Sequence, residues 1–157
     1  MTIVTMRRDD NARRAAVWED LVLAAHLLEA ALERQSQRDG AISHSHFKLL
    51  ILLSGADNHT LGLKALADTL RFSPSRVSHT IAVLERQGLV TRDRAPAGRR
   101  AYEATLTPQG RLLVARVLRA QRKEIRDVLF DNLAESETAA LGTISANLIA
   151  VLDRLHV

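Results

Sequence analysis

Apolar positions recur at spacings of three and four from Arg13 to about Gln37, with Val17, Leu21, Ala24, Ala25, Leu28 and Leu32 on one face, which predicts a long amphipathic helix. The polar and charged residues 1–11 ahead of it are expected to fray, and Gly40, after Arg38-Asp39, to close the helix in the left-handed conformation. A second helix is expected to start at Ser43 or Ser45, carry Phe47, Leu50, Ile51 and Leu53, and stop at the turn cluster Gly55-Ala56-Asp57-Asn58. Thr60-Leu61-Gly62 is long enough only for a stub of strand.

The spacing then shortens. Leu63 to Leu70 forms a short helix with Leu63, Leu66, Ala67 and Leu70 inward, and a three-residue break follows at Arg71-Phe72-Ser73. Ser73 is an N-cap residue and Pro74 stands at the first helical position, so a new helix begins there and runs to about Gln87 before Gly88 ends it. Leu89 to Arg92 and Ala101 to Leu106 read as two strands joined across Ala95-Pro96-Ala97-Gly98, a hairpin. Thr107-Pro108 opens a long helix to about Leu129, with Leu112, Ala115, Leu118, Gln121, Ile125 and Val128 on one stripe. A last helix, about Glu137 to Leu155, carries Leu141, Ile144, Leu148, Val151 and Leu155 as a helix–helix seam. The fold class expected is mainly α with a small β-hairpin wing: a winged helix-turn-helix over about 43–107, flanked by dimerisation helices at about 12–37 and 108–157, all in one domain of 157 residues.

Composition narrows the function. Apolar residues are 46% of the chain, enough for a core. Cysteine is absent, which removes disulfides, thiolate metal sites, cysteine nucleophiles and thiol redox sensing together. No apolar run spans a bilayer and Met1 to Asp10 lacks a signal-peptide core, so a cytoplasmic location without membrane contact is expected. The net charge is +4, and it is concentrated: from Arg71 to Arg111 eight arginines face only Glu85, Asp93 and Glu103. A basic centre between near-neutral flanks is a footprint for phosphate. Aromatics are 3% of the chain, too few for base-stacking platforms, so duplex DNA is favoured over single strands.

In the second helix of the motif, Val77, Ile81 and Leu84 must face the core, which leaves Ser75, Arg76, Ser78, His79 and Ala82 outside. Small, hydrogen-bonding residues suit a helix pushed into a major groove. Arg76 can meet guanine with two donors, or a phosphate, while Ser73 and Ser75 lie where the helix N-terminus offers free N–H groups to a phosphate. The arginines around the hairpin turn, Arg92, Arg94, Arg99 and Arg100, suit the negative potential of a minor groove.

The runs Leu66-Ala67-Asp68-Thr69-Leu70, Ser73-Pro74-Ser75-Arg76-Val77-Ser78, Leu84-Glu85-Arg86-Gln87-Gly88-Leu89-Val90-Thr91-Arg92, Arg99-Arg100-Ala101 and Leu106-Thr107-Pro108-Gln109-Gly110 resemble the MarR family of multiple-antibiotic-resistance-type regulators. The resemblance is densest over residues 63–111, and the helix order extends it over nearly the whole chain. It implies a two-fold dimer built from the first and last two helices, the 74–87 helix in the major groove and the wing in the minor groove, with the minor-groove arginine at Arg100 beside Arg99. Where that family usually has an aspartate holding the wing, this chain has Gly98. The resemblance also implies a small-molecule effector held between the dimerisation helices and the DNA-binding lobe.

Trp18, His26 and His46 are the candidate ligand-binding residues. The simpler readings are dimer packing for Trp18 and a hydrogen-bonded core position for His26. His44-x-His46 has a metal-like look, but positions two apart on a helix point roughly 200° apart and cannot readily share one ion, so no metal site is expected. No cofactor is expected, and no catalytic motif stands out. The expected function is a sequence-specific, double-stranded-DNA-binding homodimeric repressor that responds to a ligand and reads a pseudo-palindromic site. The alternative is a winged helix that binds protein instead of DNA, against which the basic helix and wing argue.

Overall fold

The computed structural model describes residues 2–95 and 101–155, with side chains described from Asp10 onward. Helix α1 is Thr2–Gly40, α2 His44–Gly55, α3 Leu63–Leu70, α4 Pro74–Arg86, α5 Pro108–Val128 and α6 Glu135–Arg154. Strands β1 (Thr60–Gly62), β2 (Val90–Arg94) and β3 (Tyr102–Leu106) form one antiparallel sheet in the order β1-β3-β2. Two compact units divide the chain, Met1–Val117 and Leu118–Val157, and the boundary falls inside α5.

Local chemistry sets most element ends. The Ser43 hydroxyl accepts from the His46 amide at 3.3 Å and starts α2. Ser73 does the same for α4, accepting from the Arg76 amide at 3.3 Å, with Pro74 at the first turn. The Ala134 amide donates to Glu137 Oε2 at 2.8 Å and satisfies one donor at the start of α6. Gly88, at φ +71, makes the left-handed turn between α4 and β2 that a side chain would resist.

The first unit's core gathers on α2, which buries Phe47, Leu49, Leu50 and Leu53. The same core buries Leu66 and Ala67 of α3, Val77, Ile81 and Leu84 of α4, Val90 of β2, Ala104 and Leu106 of β3, and Leu113, Val114 and Val117 of α5. Each such leucine, isoleucine or valine contributes about 1.5–3 kcal/mol by leaving water.

Several details differ from the sequence expectation. Helix α1 begins at Thr2, since neither proline nor glycine interrupts the chain between there and Asp39. Its left-handed terminator is Ala41, at φ 51, while Gly40 is still helical. Glycine is needed at 40 for space: a Cβ there would lie 2.7 Å from Val117 Cγ2 and 3.0 Å from Ile42 Cγ2. Leu49 joins the buried face of α2, and Ile51 is only half-buried. On α5 the residues covered within one chain are Leu113, Val114 and Val117, about 100° round from the stripe expected to join two copies, whose Leu112 is 75% exposed and Val128 69% exposed. Both faces of α5 are apolar, so periodicity alone does not decide which one the lobe covers.

Candidate nucleic-acid interface

Helices α3 and α4 are joined by a turn whose geometry follows from three residues. Arg71 adopts the left-handed conformation at φ 53, its amide reaching the Asp68 carbonyl at 3.4 Å. The Phe72 amide reaches the Ala67 carbonyl at 3.0 Å, and Ser73 then caps α4. The chain is thereby reversed within three residues and α4 begins with its N-terminus on the surface.

Helix α4 buries Val77, Thr80, Ile81 and Leu84 and turns Ser75, Arg76 and His79 to solvent, with Ser78 and Ala82 half-buried beside them. Ser73 is exposed as well, and its hydroxyl lies 3.1 Å from that of Ser75. Five of the residues expected to meet DNA, Ser73, Ser75, Arg76, Ser78 and His79, therefore sit on the first turns of one helix. The Arg76 guanidinium lies over the Phe72 ring, 3.8 Å from its centre.

The hairpin is anchored at its root. Thr60 pairs with Thr105 across β1 and β3, their hydroxyls 2.8 Å apart, and β2 pairs with β3 from Val90↔Leu106 to Arg94↔Tyr102. The Ala95 amide donates to the Ala101 carbonyl at 3.0 Å at the far end of the ladder. Arg92 is half-buried, its guanidinium 4.1 Å from the centre of the Tyr102 ring, and its buried Nε finds no acceptor among the described residues. Together with Leu63, Lys64, Ala67, Pro74 and Ser78, these two side chains line an open groove of about 570 Å³ between α3, α4 and the sheet. The remaining expected contacts, Arg99 and Arg100, and Gly98 with them, lie outside the described residues.

Within one chain the three candidate ligand residues sit in separate places. Trp18 is 64% exposed on α1, and His26 is exposed on the same helix two turns on, about 12 Å away along the axis. The core position expected for His26 belongs instead to His44: only that histidine of α1 and α2 is buried, its Nδ1 3.1 Å from Ser36 Oγ. Burial holds its pKa below the ordinary value, the Lys48 ammonium lowers it further, and Glu29 and Glu33 oppose both. His46 is half-buried at the other side of the same helix start. Burial lowers its pKa, the charges of His79 and Arg76 lower it further, and Glu33 opposes them. The two histidines thus serve different neighbourhoods. Among the described residues no group of three or more histidine, cysteine, aspartate or glutamate side chains could hold a metal, and no helix is long and apolar enough to cross a membrane.

Two features escaped the sequence reading. Phe72 was visible four residues before Arg76, a helix-neighbour spacing, but was read only as part of a turn. The Arg92–Tyr102 stack needed the strand register, which no local pattern supplies.

Comparison with known proteins agrees with this geometry. A model of the MarR family matches residues 42–101. The HTH-type transcriptional regulator PrsX of Escherichia coli is 28% identical over 112 residues, covering 71% of this chain and 67% of that protein. Among solved structures, Sco3205 of Streptomyces coelicolor, a MarR family transcriptional regulator in complex with DNA, is 33% identical with a TM-score of 0.82, covering 87% of this chain and 86% of that one. AbsC, another MarR family transcriptional regulator of that organism, is 25% identical with a TM-score of 0.81, covering 90% and 93% of the two chains. With α3 and α4 as its helix-turn-helix and β2–β3 as its wing, this chain belongs to the MarR family and is a transcriptional regulator, not an enzyme.

Proposed function

We propose that the protein is a sequence-specific repressor that binds double-stranded DNA as a homodimer and releases it in response to a small molecule. The observation that carries the DNA reading is the composition of the exposed end of α4: Ser73, Ser75, Arg76 and His79 surround a helix N-terminus whose free amides and partial positive charge suit a phosphate. Arg76 and Ser78 are assigned to base edges in the major groove, and Arg99 and Arg100 to the minor groove beside it. The lobe at about 43–107 reads DNA in this proposal, and the helices at about 12–37 and 108–157 join two copies.

Support for the homodimer comes from apolar surface left open. On α1, Val17, Leu21, Val22, Leu27 and Leu28 are exposed; on α6, so are Leu141, Ile144, Val151, Leu152 and Leu155. Faces of this size on a monomer mark an interface. A two-fold protein reads two-fold DNA, hence a pseudo-palindromic site with half-sites about 10 base pairs apart. An effector acts here by favouring one spacing of the two recognition helices, with a coupling no larger than its difference in affinity for the two states. Relatives that bind DNA, such as Sco3205, support the partner class.

The test combines light scattering with gel shifts on the duplex upstream of the protein's own gene. A dimer mass at micromolar concentration, and binding that falls steeply with salt as arginines displace counterions, are expected. A monomer mass would overturn the dimer, and equal binding to that duplex and to an unrelated one would overturn specificity. Screening small phenols and carboxylates by Trp18 fluorescence and by gel shift tests the effector.

A further inference from the structure

We infer that Phe72 is a positioning residue for base recognition: its ring fixes the Arg76 guanidinium in the orientation in which α4 presents it to DNA. This rests on the assignment of Arg76 to a base edge, and it adds a residue that the DNA-contacting set expected from the sequence does not contain.

Three observations combine. The guanidinium lies 3.8 Å from the ring centre, a stacking distance. The ring itself is held by the backbone: the left-handed Arg71 and the Phe72 amide bonded to the Ala67 carbonyl at 3.0 Å lock the residue just before the Ser73 cap, and its side chain is half-buried. Arg76 contributes its own amide to that cap, so backbone and side chain of the arginine are fixed by two consecutive residues of the turn. A free exposed arginine has many rotamers to lose on binding, whereas a stacked one has already lost most of them. Stacking uses the face of the guanidinium and leaves the N–H donors at its edge, the part that pairs with guanine O6 and N7. The sequence is economical with rings: of three phenylalanines, one tyrosine and one tryptophan, one lies under Arg76 and another under Arg92, both in the DNA-binding lobe.

A merely structural Phe72 would affect folding or weaken all sequences alike. A positioning Phe72 changes preference at the base Arg76 reads and nowhere else. The experiment selects binding sites from a pool of duplexes with a randomised centre for the wild type, Phe72→Leu, Phe72→Met, Phe72→Tyr, Arg76→Ala and the double variant Phe72→Leu/Arg76→Ala. Circular dichroism melting reports folding, and the methionine variant replaces the leucine one if the latter is not folded. Arg76→Ala is expected to erase preference at one position per half-site. Phe72→Leu and Phe72→Met are expected to reduce preference at that same position about two- to fivefold, Phe72→Tyr to restore it, and the double variant to match Arg76→Ala there. If Arg76→Ala erases a position that the folded Phe72 variants leave intact, the positioning role is overturned and the assignment of Arg76 survives. If Arg76→Ala erases no position, the assignment itself fails and the role of Phe72 with it.

Discussion

The Thr107 hydroxyl donates to the Gly88 carbonyl at 2.7 Å, tying the residue that ends the recognition helix to the residue that starts α5. The same oxygen accepts from the Gly110 amide at 3.0 Å, and the Thr107 amide reaches the Leu89 carbonyl at 3.0 Å. One side chain thus caps α5 and clamps the loop below β2. Gly110 lets the first turn of α5 come close to the ends of β2 and β3: a Cβ there would meet the Leu89 carbonyl oxygen and lie 2.7 Å from Leu106 Cδ1. Replacing Thr107 by valine keeps the shape and removes both hydrogen bonds, so a loss of about 1–3 kcal/mol in urea denaturation is expected, with serine recovering most of it. A valine variant as stable as wild type would mean the clamp contributes nothing.

Acid should weaken the fold through His44. Its pKa in the folded chain lies below the ordinary value because burial disfavours the charged ring. The unfolded chain therefore binds the proton first, and the stability linked to His44 is complete above about pH 6.5 and is lost as pH falls through the folded value. Melting temperature is expected to drop from pH 7 to pH 5 more steeply in wild type than in His44→Asn. Parallel profiles would remove His44 from the account.

DNA binding should respond to the same pH range with the opposite sign. Burial and the charges of His79 and Arg76, opposed by Glu33, make His46 harder to protonate than an ordinary histidine in the free protein. A phosphate arriving at α4 favours the protonated ring, so binding takes up a proton and affinity rises as pH falls from 8 towards 6. His46→Gln should flatten this dependence. Affinity independent of pH in the wild type would separate His46 from the bound phosphate.

The proposed interface can be broken without touching the lobe's core. Ile144 is 54% exposed on α6, so Ile144→Glu has little to disturb within one chain. Burying that carboxylate between two copies costs several kcal/mol, and a monomer mass by light scattering is expected, with the helical circular dichroism of the lobe retained. A dimer of unchanged mass would place the contact elsewhere.

What could be read in advance follows the range of the interactions. Ser73-Pro74 marks the start of α4 because cap and proline act within one turn. The ends of α3 at Leu63 and Leu70 follow instead from its local apolar spacing and the break at Arg71. The outward set on α4 follows from one helical period. The covered face of α5 and the exchange of roles between His26 and His44 depend on what packs against each helix, which periodicity does not contain. Sequence alone offered no way to see that charges on α4, about thirty residues later, act on His46.

The strand order β1-β3-β2 puts the best-connected strand in the middle and leaves two open rims. An open rim invites another chain to add a strand, and regulators crowded on adjacent DNA sites would meet rim to rim. Here one rim is only three residues long and the other carries Arg92, Asp93 and Arg94 in succession. In the DNA reading proposed above, the charges that suit a groove of DNA also discourage two wings from pairing edge to edge, since like charges meeting along a sheet edge disfavour an added strand.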